Sequence, residues 1–322
     1  MPDTIDWRTI ARPLDVADVP KSEHHVRRWT AYEPVAAGVL FRFETPCGEP
    51  VEVRVDAVAD DVLRVRMGAP GRIAAREQRP SDLLLQRAPE SISFSLVETD
   101  ESLSLVTARV RLEFSREPWQ LRAFCADPIC AGPFFAERID DRNYGPGYEV
   151  LPVGFETGTD GRQGVREALA VAPGEAFYGF GEKFTALDKW GQEFTSWAVD
   201  CGNVTSPRSY KNVPFFISTA GYGVFVHTTY PIVYRMGSRS GISCSFHVAE
   251  DVLDYFLIYG PAFTQILGRY AELTGHAPVP HAGDAPEGPS DFASPAAFDS
   301  PPSGFAAGLA PPLKSVAYQP LP

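Results

Sequence analysis

Within FTSWAVDCGNVTSPRSYKNVPFF, residues 194–216, the chain gathers Trp197, Asp200, Arg208, Tyr210, Lys211 and Asn212 into one polar, aromatic stretch. An indole face beside a carboxylate suits a sugar ring, whose C–H faces stack on the aromatic system while its hydroxyls donate to a group that can only accept. The same residues also fit a packed tryptophan and an aspartate capping a turn, and residue types alone leave both readings open. Glu182, Asp188 and Glu193 lie nearest Asp200 among the carboxylates of this region. Acid/base cleavage of a glycosidic bond takes two carboxyl groups, about 5–5.5 Å apart in a retaining enzyme. Nothing in the spacing of these four selects a pair.

Other chemistries find less support. GFGEKF at 179–184 contains Gly-x-Gly, but it has no third glycine and no helix behind it, so a dinucleotide site is not indicated. Its glycines fit a strand that bends or approaches another backbone closely. Asn203-Val204-Thr205 matches a glycosylation sequon. The six histidines are scattered apart from His24 and His25, which leaves no HExxH-type motif, and neither a metal nor an organic cofactor is expected. His227 and His247 fall inside strand-like runs, where a packed imidazole is the common case. Five cysteines, an odd number without CxxC spacing and with Cys125 and Cys130 as the closest pair, fit reduced thiols.

The elements that must position the 194–216 stretch show a period of two. VEVRVDAV at 51–58 sets Val51, Val53 and Val55 against Glu52, Arg54 and Asp56, which predicts one buried and one wet sheet face. The same alternation runs through 62–67, 91–97, 103–114 and 119–124. Residues 126–150, with three prolines and mixed charges, read as a long surface connection. A second, more apolar run of strands covers 165–171, 177–182, 213–219, 222–228, 232–236, 242–248 and 253–260. Many short strands without interleaved helices predict an all-β, antiparallel β-sandwich. After Pro261 the period changes: Phe263, Ile266, Leu267, Tyr270 and Leu273 predict one amphipathic helix over 261–274, stopped by Gly275. Of the final 42 residues 27 are Ala, Pro, Gly or Ser, so 281–322 reads as a disordered tail that buries too little apolar surface to fold. The domains expected are a lead-in at 1–35, a sandwich at 36–280 and that tail.

With 29 Lys+Arg against 41 Asp+Glu, the formal charge of −12 repels phosphate backbones and anionic membranes, so neither nucleic acid nor membrane is an expected partner. No run approaches the roughly 18 apolar residues of a membrane span. The opening MPDTIDWRTIARPLDV lacks the features of a secretory leader, which points to a cytoplasmic location.

The run FYGFGEKFTALDKWGQEFTSWAVDCGNVTSPRSYKNVPFFISTAGYGVFVHTTYP, followed by LDYFLIYGPAFTQILGRYAELTGHAPVP, resembles the N-terminal region of glycoside hydrolase family 31, nearest its bacterial α-xylosidases and α-glucosidases. The likeness extends over roughly 36–280 through LRVRM, VRLEF and PWQLRAF. It implies a galactose-mutarotase-like sandwich set before a catalytic (β/α)8 barrel that carries both catalytic aspartates. It also implies that a sandwich loop reaches the barrel's pocket, where a Trp-Asn-Arg-Asp stretch supplies a sugar-holding aspartate. The matching positions are Trp197, Ala198, Val199 and Asp200, so Trp197 and Asp200 are the expected substrate-binding residues, while Ala198 and Val199 depart from the pattern. The likeness stops near Pro280, and a barrel needs about 250 residues. The expectation is therefore a truncated or frame-shifted, non-catalytic N-terminal domain, with no catalytic residue of its own, from a parent that hydrolyses terminal α-linked xylose or glucose with retention. Its partners would be carbohydrate, met through the 194–212 loop, and a barrel supplied in trans. Two alternatives remain: a free-standing carbohydrate-binding module, and a mutarotase-like epimerase, which would need a histidine and a carboxylate facing one sugar.

Overall fold

The computed structural model describes residues 22–44, 48–78, 85, 92–127, 132–139, 153–157, 163–200 and 207–276. The tail at 281–322, the sequon at 203–205, Cys130 and most of 126–150 lie outside the described residues.

Three antiparallel sheets build the fold. An eight-stranded sheet runs β13 (Phe177–Gly181), β15 (Asn212–Ser218), β16 (Tyr222–Val226), β19 (Val252–Tyr259), β5 (Val62–Gly68), β4 (Pro50–Ala59), β3 (Gly38–Glu44) and β2 (Trp29–Val35). A six-stranded sheet runs β1 (Ser22–His25), β11 (Gly154–Thr157), β12 (Gln163–Ala170), β18 (Ser243–Val248), β17 (Ile232–Met236) and β14 (Gln192–Ser196). The third, of five strands, runs β10 (Phe135–Ala136), β9 (Gln120–Cys125), β8 (Val110–Ser115), β7 (Ser102–Val106) and β6 (Ser95–Glu98). The all-β, antiparallel sandwich read from the sequence is the fold observed.

One core spans all three sheets because each contributes one apolar face to it. Val53, Val55 and Met67 meet Leu105, Leu112 and Phe114 from the five-stranded sheet and Val165, Tyr234 and Phe246 from the six-stranded one. The alternation in β4 works as read for its valines, but Asp56 departs from the wet face: it is buried, held by the guanidiniums of Arg54 and Arg66. A buried carboxylate survives only when paired, and both partners stand on the same sheet face. The continuous burial of β16 and β19 has another cause. Their outer side is covered by helix α2 (Phe263–Thr274), which packs Ile266 and Leu273 on Phe215, Phe225 and Phe256 and stacks Tyr270 on Phe215 at 4.1 Å.

Several expectations need correction. The helix begins at Phe263 rather than 261, and Phe263 and Leu267 are exposed, since the sheet beneath takes only the Ile266, Tyr270 and Leu273 side of the stripe. A second, six-residue helix, α1 (Arg72–Glu77), was too short to give a period. The sheets start ahead of residue 36: β2 lies in the eight-stranded sheet with Trp29 buried. The 103–114 run is two strands, turned at Thr107, whose hydroxyl accepts from Arg109 N and Val110 N. Inside 126–150, β10 pairs with β9 and Glu137 is buried, so this part is structural rather than a surface connection. Cys244 is a buried free thiol, whereas Cys125 forms a disulfide to a partner outside the described residues, against the reading of reduced cysteines throughout.

Candidate sugar-facing loop

The stretch singled out in the sequence begins as β14, which pairs with β17 rather than with its successor β15, and so connects two different sheets. Its near end is tied back on itself: Ala198 and Ser209 form a parallel bridge, and Val199 N donates to Ser209 O at 3.2 Å. Trp197 is half-buried next to this bridge and Asp200 is exposed. Tyr210, itself exposed, donates its hydroxyl to Asp200 Oδ1 at 2.5 Å. The carboxylate is thereby braced by a neighbour from the far arm of the loop. Residues 201–206, including the sequon, lie outside the described residues.

The far arm is fixed by β13. Gly179 and Gly181 adopt positive φ values of 119° and 79°, and a β-carbon on Gly181 would stand 2.2 Å from Lys211 O. Close backbone approach, as read from GFGEKF, is what these glycines permit. Glu182 N donates to Lys211 O at 2.9 Å, and Asn212 Nδ2 donates to Ser209 O at 2.9 Å. Lys183 reaches in from the other side to donate to Asn212 Oδ1, and to Ser209 Oγ at 3.4 Å. Burial, with Lys189 adding a like charge, lowers the Lys183 ammonium to about 8. Sequence reading missed Lys183 and Ser209, since a lysine after Gly-Glu and a serine before Tyr carry no local signal of a shared network.

The four carboxylates of the region take separate roles. Asp188 Oδ1 accepts from Phe177 N at 3.1 Å and Trp190 N at 2.9 Å, a turn-capping duty. Glu193 holds Arg239 through two bonds of 2.8 and 3.2 Å. Glu182 pairs with Lys211 at 3.0 Å, with both side chains largely in solvent. No hydrogen bond joins two of the four among the described residues. The exposed Glu182–Lys211 pair is screened, so Lys211→Ala is expected to change unfolding free energy by less than about 0.5 kcal/mol in chemical denaturation. A loss several times larger would mean that the pair, rather than the backbone bond beside it, holds the loop.

His227 is packed, as expected of a histidine in a strand-like run. The sequence offered no carboxylate partner for it, yet Nδ1 lies 3.0 Å from Asp254 Oδ2, which also takes two bonds from Arg64 at 2.8 and 2.7 Å. Burial pushes the Asp254 carboxyl up, but Arg64 and His227 outweigh it and hold it well below the usual range. Both residues are fully enclosed, which suits a packed ion cluster rather than a sugar-facing acid and base. Among the described residues, no group of three or more histidine, cysteine or acidic side chains is placed to hold a metal ion, and no helix is long and apolar enough to cross a membrane.

The chain is an antiparallel sandwich carrying an aromatic and acidic loop, and comparison gives the family. The model of the glycosyl hydrolase 31 N-terminal galactose mutarotase-like domain matches residues 52–234, more than half of the chain. The chain belongs to this family. It is 40% identical over 118 residues to the α-xylosidase XylQ of Lactiplantibacillus pentosus, covering 37% of this chain and 15% of that protein. With an α-xylosidase of Emericella nidulans it shares 39% over 115 residues, covering 35% and 15%. Among solved structures, the Flavobacterium johnsoniae GH31 dextranase FjDex31A complexed with glucose aligns with a TM-score of 0.64 at 20% identity, over 80% of this chain and 29% of that one. A GH31 α-xylosidase from a soil metagenome, complexed with xylose, aligns at 0.56 and 18%, over 77% and 35%. The matched stretch spans about 15% of the length of each of the two α-xylosidases.

Proposed function

We propose that this chain is the non-catalytic N-terminal domain of a retaining α-glycosidase acting on terminal α-linked xylose or glucose, and that its 197–211 loop forms one wall of the sugar pocket. The observation that carries this reading is the braced carboxylate: Asp200 stands exposed on Tyr210, with half-buried Trp197 three residues away on the same arm. The identity to two α-xylosidases supports a xyloside as substrate. Asp200 would fix a sugar hydroxyl and Trp197 would wall the ring, while the two aspartates that break the bond would come from a catalytic barrel.

Two measurements test it. The purified chain, incubated with p-nitrophenyl α-xyloside and α-glucoside, is expected to give no turnover. Turnover lost on mutating one of its own carboxylates would refute the reading. In calorimetry with xylose, half a pocket is expected to give no saturable heat. Saturable heat abolished by Asp200→Asn would instead establish a free-standing carbohydrate-binding module.

A further inference from the structure

Ser209 and Asn212 flank the segment that holds Tyr210, the residue whose hydroxyl braces Asp200. Ser209 O also receives Val199 N and Asn212 Nδ2, so both arms of the loop meet at this short stretch. One ammonium reaches both flanking residues. Lys183 Nζ donates to Asn212 Oδ1 and, at 3.4 Å, to Ser209 Oγ. Ser196 Oγ of β14 lies 3.5 Å from the same Asn212 oxygen, and the centre of the Phe194 ring lies 5.7 Å from Lys183 Nζ. A change at this ammonium is therefore passed to the bracing of the carboxylate.

What touches the ammonium is neutral. β14 offers it a phenyl ring, and the far arm offers a hydroxyl and an amide oxygen. Tyr234 on β17, packed on Phe194, stays an uncharged phenol because burial pushes its ionisation up. The acidic groups of the adjoining elements are committed to other partners: Glu182 pairs with Lys211 at 3.0 Å, Glu193 holds Arg239, and Asp188 accepts from two backbone amides. Lys189 contributes only a like charge. Among the described residues no carboxylate bonds to Lys183. A part-buried ammonium without a counter-ion costs free energy in the closed loop, and the cost is relieved either by lifting the arm into water or by losing a proton.

We propose that Lys183 is the positioning residue of the sugar-facing loop and makes its closure responsive to pH, the two arms holding more firmly as the ammonium gives up its proton. The inference rests on the 197–211 loop being the pocket wall. Linkage sets the sign. Burial holds Lys183 at about 8 in the closed loop, whereas a solvated lysine in the opened one keeps its ordinary 10.5. Between these values the closed loop binds fewer protons than the opened one, so closure strengthens as pH rises. The neutral amine still has N–H groups for Asn212 Oδ1 and Ser209 Oγ, so the contacts outlast the charge.

The test follows amide exchange at Val199 and Glu182, whose N–H groups donate to Ser209 O and Lys211 O, in the full chain between about pH 7.5 and about pH 9.5 at constant ionic strength. Protection is taken relative to the unfolded exchange rate at each pH, and β4 amides report the fold itself. Loop protection is expected to rise about fivefold over this range, allowing for the part of the side chain that solvent screens. In Lys183→Met, which cannot titrate, and in Lys183→Arg, whose charge persists to about pH 12, it is expected to stay within about twofold. Loop protection that is flat or falls in the parent while β4 remains folded overturns the proposal, as does a rise that persists in either variant. Should Lys183→Met fail to fold, the parent and Lys183→Arg profiles decide. No sugar is present, so the outcome is independent of the turnover and calorimetry that test the pocket wall.

Discussion

At about pH 9 the domain is expected to unfold roughly 10 °C below its midpoint at about pH 5, and Glu137→Gln is expected to reduce that difference. The cause is a pair of carboxyl groups sealed where the three sheets meet. Glu137 follows β10, forms a bridge to Leu169 on β12, and takes Leu121 N of β9 on Oε2 at 2.8 Å. Glu167 on β12 takes the Tyr255 hydroxyl of β19 at 3.0 Å and Ala168 N at 2.9 Å. Burial pushes the Glu137 carboxyl up to about 8, against the pull of Leu121 N and Trp119. Burial first, and then the neighbouring Glu137, drive Glu167 well above the usual range. In the unfolded chain both ionise near their ordinary values. Between about pH 4.5 and 8 the folded state therefore holds more protons than the unfolded one, and stability falls as pH rises. For Glu137 alone the loss is on the order of 4 kcal/mol across that window. Glutamine keeps an acceptor for Leu121 N and removes the charge. A midpoint that is flat or rises between these pH values would sink the account, as would a Glu137→Gln variant that shifts the whole profile without changing its slope.

The second large effect is expected at Phe180. Its ring lies 5.0 Å from Phe194, 5.1 Å from Phe216 and 4.8 Å from Tyr234, with no exposed surface, so it joins β13, β14, β15 and β17. Phe180→Ala is expected to cost about 4 kcal/mol in denaturant unfolding, from lost burial and the cavity left behind. Because Glu182 and Lys183, which bond Lys211 O and Asn212, directly follow β13, the far arm of the loop should loosen before the domain unfolds. Limited proteolysis between 197 and 211 is expected to accelerate in this variant at temperatures where the core is still folded. A cost below about 1 kcal/mol, or unchanged cleavage of the loop, would show that the bulged strand is held by its backbone bonds alone.

The valines of β4 could be read from sequence because alternation over several residues has one physical meaning, a sheet with one face in the core. Asp56 could not, since its burial depends on Arg66, ten positions further along. β14 was hidden for a related reason: QEFTS is short, and its partner β17 lies about forty residues away. The two-residue β10 and six-residue α1 are too brief to show a period. Of the loop, residue types suggested a sugar-facing pair and family likeness placed it at Trp197 and Asp200, but the bracing by Tyr210 and the Lys183 network depend on the strand register that brings the two arms together. His227 is the clearest case, because its carboxylate sits on a neighbouring strand and no spacing in the chain announces it.

The bulge between Gly179 and Gly181, with Phe180 at a φ of 67°, falls on β13, the outermost strand at one end of the eight-stranded sheet. A regular outermost strand offers a straight row of amides and carbonyls on which another chain can polymerise, and an interrupted, twisted one does not. The glycines that let Lys211 come close thus also protect the molecule from ribbon-like stacking with its own copies at high concentration.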